Sequence, residues 1–399
     1  MTVCPRRVRR LVVRIAAMAV SAGATRVFDE DGLEALIAGL RERGYTVIAP
    51  TVDNGAIEYA PVTSASQLPR GVGDEQSPGR YRLREREDAA HFGFATAPSS
   101  WKRYLFPPTT TLWRARREEH GALVFDETAA PPPRFAFLGV RGCELAAILV
   151  QDRVFATTSH PDPTYSARRQ NLFVIAVHCG SPSDVCFCTS MGTGPRVREG
   201  FDLAVTELLD ATEPRYLIEA GTPAGQELMD ALPTHPATAE DVEAAEAVTE
   251  ESAQRMGRTM DTRGLPELLQ RNLEHPRWDD VAARCLSCGN CTLACPTCFC
   301  SDDVEAQSPD GATSERLREW ASCFSRDFSY IHGGPVRATV RSRYRQWMTH
   351  KLGTWWDQFE TSGCVGCGRC IAWCPVGIDI TEEAAAIRSN DGARAEAAT

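Results

Sequence analysis

The sequence predicts an α/β N-terminal domain with a mainly parallel sheet, followed by a smaller α+β domain organised by two cysteine motifs. In the N-terminal half, short apolar runs alternate with segments of helical periodicity, a pattern typical of a parallel sheet covered by helices. In the C-terminal part, the spacing C-x2-C-x2-C-x3-C-P occurs twice. A long stretch with many aromatic and basic residues separates the two copies and predicts a helical insertion over residues 301–360.

The elements of the first domain, residues 25–235, follow from local periodicity. Apolar residues recur at the spacing of one helical face between Leu33 and Leu40, so a helix is predicted at residues 31–43. Other helices are predicted at residues 143–152 and 200–210. Residues 61–90 are rich in Pro, Gly and charge and predict a loop. Apolar runs predict strands at residues 45–49, 134–140, 171–178 and 215–219.

Three further segments complete the predicted organisation. Residues 1–24 are predicted to be a disordered basic extension, with Met18 as the alternative true start. Residues 236–284 are predicted to be an acidic helical linker, because six acidic residues and no basic residue occur within residues 240–251. Residues 382–399 are rich in alanine and are expected to form a frayed tail.

The two cysteine motifs have the spacing of bacterial ferredoxins, in which three neighbouring thiolates bind three irons of a [4Fe-4S] cubane and the fourth cysteine ligates the other cluster. A zinc site is disfavoured, because zinc ligands usually come as two separated pairs. Residues 285–381 are thus predicted to form an α+β dicluster ferredoxin-like domain. The first cluster is predicted at Cys285, Cys288, Cys291 and Cys374, and the second at Cys364, Cys367, Cys370 and Cys295.

Four cysteines of the first domain predict a third cluster: Cys143, Cys179, Cys186 and Cys188. Two of them directly follow predicted strands, and ligands bind outside the carboxyl ends of the strands in an open parallel sheet. Arg141 can stabilise an anionic cluster there. The alternatives are ordinary buried cysteines, since free cysteine is among the most buried residue types, or a zinc site.

Three cysteines have no assigned partner: Cys298, Cys300 and Cys323. The first two follow the first motif directly, in Cys-Pro-Thr-Cys-Phe-Cys, and either can replace an expected ligand. Together with the third they can form another site. Packing beside a cluster, with S–H donors directed at its sulfides, explains them equally well.

Composition limits the classes of function. A net charge of −10 argues against a nucleic-acid partner. No apolar stretch is long enough for a transmembrane helix. Sixteen cysteines with metal-ligand spacing predict a reducing compartment, the cytoplasm. The sequence has no dinucleotide-binding Gly motif after a strand, no P-loop and no cluster of histidine ligands, so it predicts electron transfer and no bond-breaking site of its own.

Several segments together resemble the beta subunit of cytoplasmic sulfhydrogenases, the NADP-linked bidirectional [NiFe] hydrogenases, over roughly residues 25–380. The corresponding iron–sulfur subunit of anaerobic sulfite reductases is similar. The most specific pieces are Cys-Phe-Cys-Thr-Ser-Met-Gly-Thr-Gly-Pro, ending at Pro195, and Cys-Pro-Thr-Cys-Phe-Cys, ending at Cys300. The other segments are 139–145 (GVRGCEL), 320–323 (WASC), 332–334 (HGG), 350–352 (HKL) and 363–370 (GCVGCGRC).

The resemblance implies a place in a multi-subunit oxidoreductase. A flavin- and NAD(P)-binding subunit exchanges hydride, and the beta subunit passes single electrons to the small subunit, then to the nickel–iron centre in the large subunit. Three alternatives remain open. One is the equivalent electron-transfer subunit of an anaerobic sulfite reductase, and another is a flavin-dependent iron–sulfur oxidoreductase whose N-terminal domain binds FAD. The third is a structural scaffold that carries clusters without electron flux.

Overall fold

A computed structural model describes residues 25–118, 120–125, 131–209 and 213–397. The predicted basic extension, residues 1–24, lies outside the described residues. The largest element of the fold is an eight-stranded sheet in the N-terminal part. In spatial order its strands are His235–Pro236, Arg26–Phe28, Arg215–Ala220, Leu203–Leu208, Leu172–Val177, Phe135–Val140, Thr46–Asp53 and Ala56–Pro61.

The predicted α/β domain is confirmed in outline, but its sheet is parallel only in the centre. Three neighbouring strand pairs are parallel and the four outer pairs are antiparallel. The helix predicted at residues 200–210 is wrong, because Leu203–Leu208 is a central strand. All six of its residues are buried, so it lacks the alternation that marks a strand with one exposed face.

Helices cover the sheet and bury apolar faces against it. In Glu30–Glu42, the side chain of Asp29 caps the first turn by accepting a hydrogen bond from Gly32 N at 3.2 Å. Its leucines and Ile37 lie in the main core, as the periodicity predicts. The covering helices are Glu30–Glu42, Gly142–Phe155, Pro163–Gln170, Pro223–Asp230 and Ala239–Gln254.

The first part of the segment predicted to be an acidic linker belongs to the N-terminal domain. Ala239–Gln254 packs on the strands Leu203–Leu208 and Arg215–Ala220. Asp241 is buried and accepts a hydrogen bond from Arg215 at 2.6 Å. The remaining acids face solvent, and that face dominates the composition.

The segment predicted as a helical insertion begins with a β-hairpin, so the prediction is wrong for its first part. Ser301–Gln307 and Thr313–Trp320 pair with each other, and the second strand also pairs with Thr109–Arg117, which in turn pairs with Leu123–Phe125. The hairpin strands are charged and partly exposed on both faces, so no apolar alternation marks them. Smaller hairpins are Val72–Ser77 with Arg80–Glu85, inside the predicted loop, and Tyr330–Ile331 with Gly334–Pro335.

Further helices build a second core around the cysteine motifs. They are Cys188–Met191, Leu265–Arg271, Arg277–Arg284, Asn290–Leu293, Val340–Thr349, Trp355–Phe359, Arg369–Ala372 and Ile380–Ala397, with a π-helical turn at His350–Thr354 and a 3-10 turn at Asp327–Ser329. The short helix Lys102–Leu105 and the 3-10 turn Ala65–Gln67 belong to the main core. The prediction of a frayed tail at residues 382–399 is wrong for its first part. There the last helix is packed, because Ile387 is buried and Glu383 pairs with Arg277 and Arg284. Within the described ranges, no helix combines the length and apolar character needed to cross a membrane.

Candidate iron–sulfur centres

The four cysteines predicted for the first cluster line one cavity. They are Cys285, Cys288, Cys291 and Cys374. Cys370, predicted for the second cluster, also lines this cavity. The rest of the wall is mainly apolar and aromatic, with Tyr344 and Trp347 from the insertion. Gly289 begins the helix Asn290–Leu293 in a left-handed conformation (φ 80°), and a Cβ there would lie 2.9 Å from Ser322 Oγ. Only glycine therefore lets the motif turn this close to its neighbour.

The four cysteines predicted for the second cluster are electrostatic neighbours of one another. They are Cys364, Cys367, Cys370 and Cys295. Burial raises the pKa of the first three thiols, that of Cys364 to about 12. Isolated buried thiolates are therefore unfavourable here. Iron ligation would keep the sulfurs deprotonated, and so the residues fit a bound cluster.

A buried lysine contacts the second cysteine group. Lys351 Nζ donates hydrogen bonds to Cys295 Sγ at 3.3 Å, to Thr297 Oγ1 at 3.1 Å and to Gly363 O at 2.9 Å. It lies in the π-helical turn His350–Thr354, and such turns are frequent at functional sites. A positive charge beside a ligand sulfur favours the reduced, more negative state of a cluster, so Lys351 would raise its reduction potential.

The four cysteines of the N-terminal domain also come together at the predicted edge of the sheet. Cys143 begins the helix after strand Phe135–Val140, and Cys179 follows strand Leu172–Val177. Cys186 and Cys188 follow on the next loop, and all four side chains are buried. Their thiols are electrostatic neighbours of one another. The guanidinium of Arg141 donates hydrogen bonds to the carbonyls of Phe92, Phe94 and His178. Among the described residues it forms no hydrogen bond to a cysteine.

The N-terminal group and the second motif are in contact. Phe187 N donates to Gly366 O at 2.9 Å, and Thr193 Oγ1 donates to Val365 O at 2.6 Å. A Cβ at Gly366 would lie 2.6 Å from Phe187 O, so the backbones touch. The thiol of Cys367 consequently faces the N-terminal cysteines.

The described side chains do not form a single-metal site. Within the described part of the chain, no group of three or more Cys, His, Asp or Glu residues is arranged to hold one metal ion. Zinc bonded to sulfur at about 2.3 Å would draw its ligands within about 4 Å of one another. A cubane spreads its ligands over four irons and so does not require them to converge on one point.

Comparison with known proteins supports the assignment of the C-terminal motifs. Residues 284–378 match the 4Fe-4S dicluster domain family. The chain is also 29% identical, over 288 residues, to sulfhydrogenase 2 subunit beta of Pyrococcus furiosus, covering 70% of this chain and 79% of that protein. No solved structure matches the chain. The predicted resemblance and the presence of [4Fe-4S] chemistry in the dicluster domain are thereby confirmed.

A buried ion pair joins the dicluster domain to the N-terminal cysteines, and the sequence analysis missed it. Arg369, between Cys367 and Cys370, pairs with Glu144, which follows Cys143. Both side chains are at most 1% exposed. Glu144 also accepts hydrogen bonds from the Tyr59 hydroxyl at 2.9 Å and from Trp101 Nε1 at 3.0 Å. The only clue in the sequence is that each partner is next to a candidate ligand.

The three unassigned cysteines lie next to the dicluster ligands. Cys298 is hydrogen-bonded to Cys295, and Cys300 to Cys323. Cys323 is in turn an electrostatic neighbour of Cys291. These cysteines therefore lie beside both predicted clusters of the dicluster domain.

A cavity of about 360 Å³ opens at the carboxyl ends of the parallel strands and contains a buried carboxyl group. Glu207 accepts hydrogen bonds from the backbone N–H groups of His91 and Phe92 at 2.6 and 3.0 Å. Burial raises the pKa of Glu207 from 4.5 to about 7, against the lowering effect of these bonds. Asp74, Arg84, Arg86, Arg141, His178, Glu251 and Arg255 also line the cavity.

We expect the ionisation of Glu207 to make folding stability fall as pH rises. Between its unfolded and folded pKa values the native state binds the extra proton, so the contribution of Glu207 to stability is fully present below pH 4.5 and is lost up to about pH 7, by roughly 3 kcal/mol. Glu207→Gln should flatten this part of the curve. Anaerobic denaturant titrations from about pH 5 to about pH 8 would measure it, with the exposed Glu227→Gln as control. An unchanged slope in Glu207→Gln would contradict the assignment.

Proposed function

We propose that this chain is the iron–sulfur electron-transfer subunit of an NAD(P)-linked [NiFe] hydrogenase. It relays single electrons between a flavin- and NAD(P)-binding subunit and the small subunit of the hydrogenase. The large subunit, which binds the small subunit, carries the nickel–iron centre. The dicluster domain and the similarity to a sulfhydrogenase beta subunit support an electron-transfer role. The partners, the number of clusters and a cytoplasmic location are part of the proposal.

The observation that carries the proposal is the serial arrangement of three cysteine groups. Cys291 of the first group is an electrostatic neighbour of Cys295 and Cys370 of the second. Cys367 of the second group is a neighbour of Cys143 and Cys188 of the third. Clusters bound in these positions would supply one-electron redox chemistry along a continuous path.

The chain's own residues have roles that favour electron transfer. The first group is open at one end, since Cys288 is exposed, whereas the third group is buried. Lys351 and the buried residues around Cys295 would tune the second cluster by charge and hydrogen bonding. Four cysteines in each of these three groups would ligate every iron corner of a cubane and leave no open coordination position for substrate, so the catalytic step would belong to a partner subunit.

The composition of the native complex tests this proposal. We would isolate the complex anaerobically through this chain and measure nickel, flavin, sirohaem and iron. Nickel in a complex that also contains a flavin subunit is the expected result. Sirohaem without nickel would overturn the hydrogenase assignment in favour of sulfite reduction. Flavin bound to this chain alone, with no nickel, would show that its N-terminal domain is itself a flavin site.

A further inference from the structure

Cys298, Cys300 and Cys323 are held together by the base of the hairpin formed by Ser301–Gln307 and Thr313–Trp320. Ala321 N donates to Cys300 O at 2.9 Å, which extends the hairpin ladder to the segment before Cys323. The thiols of Cys300 and Cys323 are hydrogen-bonded, and Cys298 is an electrostatic neighbour of Cys300. This group uses none of the cysteines of the N-terminal domain.

Two buried lysines face this group. Lys102 and Lys351 are only 4% and 3% exposed. Lys102 Nζ donates to Cys298 O at 3.1 Å and lies 3.9 Å from the centre of the Trp320 ring. The titratable groups nearest to it are Cys298, Cys295, Cys300 and Lys351.

Neither lysine forms an ion pair with a carboxylate among residues 25–118, 120–125, 131–209 and 213–397. The groups that interact most strongly with Lys351 are Cys295, Cys298 and Cys364. Two neighbouring ammonium groups in a dry interior repel each other and lose hydration, which is unfavourable unless an anion lies close by or one amine loses its proton, and burial lowers the pKa of Lys102 in that direction. The only candidate anions that these contacts offer are sulfurs.

We propose that Cys298, Cys300 and Cys323 bind an additional iron–sulfur cluster, with Lys102 and Lys351 as its counter-charges. Three thiolates with inorganic sulfide and iron form an anionic group that two ammonium groups offset. A single zinc ion is less suitable, since these side chains form no single-ion site. A Cys300–Cys323 disulfide would consume two thiols and leave both lysines without an anion. The proposed site does not depend on which partner subunits the chain has.

Iron and acid-labile sulfide content of the full chain, purified and reconstituted anaerobically, tests the site. The double variant Cys300→Ser/Cys323→Ser should lose the iron and sulfide of one cluster. Cys288→Ser in the same background should lose a further cluster, so the two losses add. Cys4→Ser is the control, because this cysteine of the predicted basic extension belongs to none of the predicted ligand groups, and it should keep all the iron. Unchanged iron in the double variant would overturn the proposal, and so would an unsubstituted, reconstituted chain in which Cys300 and Cys323 are alkylated as free thiols or are joined with a mass lower by two hydrogens.

A variant that keeps every cysteine separates the site from a folding defect. Lys102→Met should retain the iron but shift the midpoint potential of the additional cluster downward, because a positive charge is removed. Lys102→Arg should restore the potential at least in part. If the additional cluster is absent, Lys102→Met should shift at most the potential of the second cluster, whose predicted ligand Cys295 is also a neighbour of Lys102, and thermal stability should rise because a buried charge without an anion is removed. That second pattern would overturn the proposal, whether or not the chain proves to be a hydrogenase subunit.

Discussion

Arg369→Met is expected to destabilise the chain by roughly 3–5 kcal/mol and to lower the occupancy of the second and third cysteine groups together. Methionine removes the guanidinium and leaves Glu144 as a buried carboxylate with 1% exposure. It also removes the hydrogen bond from Arg369 Nε to Ala97 O at 2.7 Å, which ties the second motif to the N-terminal domain. The loss of stability is large because the carboxylate of Glu144 stays buried from solvent after its cationic partner is removed.

The measurement is anaerobic denaturant unfolding together with iron content per chain. Because cluster loss makes unfolding more than two-state, the midpoint and the iron content must be compared at the same denaturant concentration. Arg263→Met is the matched control, since that arginine pairs with Asp261 at the surface and is 89% exposed. It should leave the midpoint and the iron content nearly unchanged.

A double variant distinguishes the effect of breaking the ion pair from the effect of losing packing contacts of Arg369. Arg369→Met/Glu144→Leu should recover part of the lost stability, because no buried charge is then left alone. Recovery should be incomplete, since Tyr59 and Trp101 lose the carboxylate that accepts their hydrogen bonds. If Arg369→Met alone unfolds like the native chain, or if the double variant is worse than the sum of the single ones, the proposed role of the pair is wrong.

The sequence predicted the cysteine groups better than the elements around them. Cysteine spacing within each motif reflects local geometry, and residues such as Cys285, Cys288 and Cys291 are close in any conformation that wraps a cluster. Cys143 and Cys179 could be placed together because each follows a strand of one parallel sheet. The strand Leu203–Leu208 could not be recognised as a strand, because a fully buried strand and a buried helix have the same apolar composition.

The spacing of residues along the sequence could not identify the side chains that act by their charge. Lys102 and Lys351 are separated by most of the chain and meet only because the hairpin after Cys300 pairs with the strand Thr109–Arg117. Arg369 and Glu144 are likewise brought together by the contact between two domains. A local pattern contains no information about such pairs, since each lysine or arginine alone resembles an ordinary surface residue.

Cys288→Ser and Cys367→Ser are each expected to remove one cubane, about four iron atoms per chain, with very different consequences. Cys288 is exposed at the edge of the first group, so its serine hydroxyl can be hydrated and the fold should persist. Cys367 is buried between the second and third groups. Its serine hydroxyl would have no water there, and an unpaired buried hydroxyl costs about 1–3 kcal/mol.

Electron flow should separate the two variants further. If the three groups form one path, loss of the second cluster interrupts it in the middle, whereas loss of the first affects only the open end. Reduction of the third group by a donor acting at the first should therefore stop in Cys367→Ser, and direct chemical reduction of the third group should survive. Iron analysis, EPR and stopped-flow reduction of the anaerobic complex would measure this, with Cys4→Ser as control. Full iron in both variants would refute the ligand assignment, and undiminished electron flow in Cys367→Ser would refute the serial path, because electrons would then reach the third group without the second.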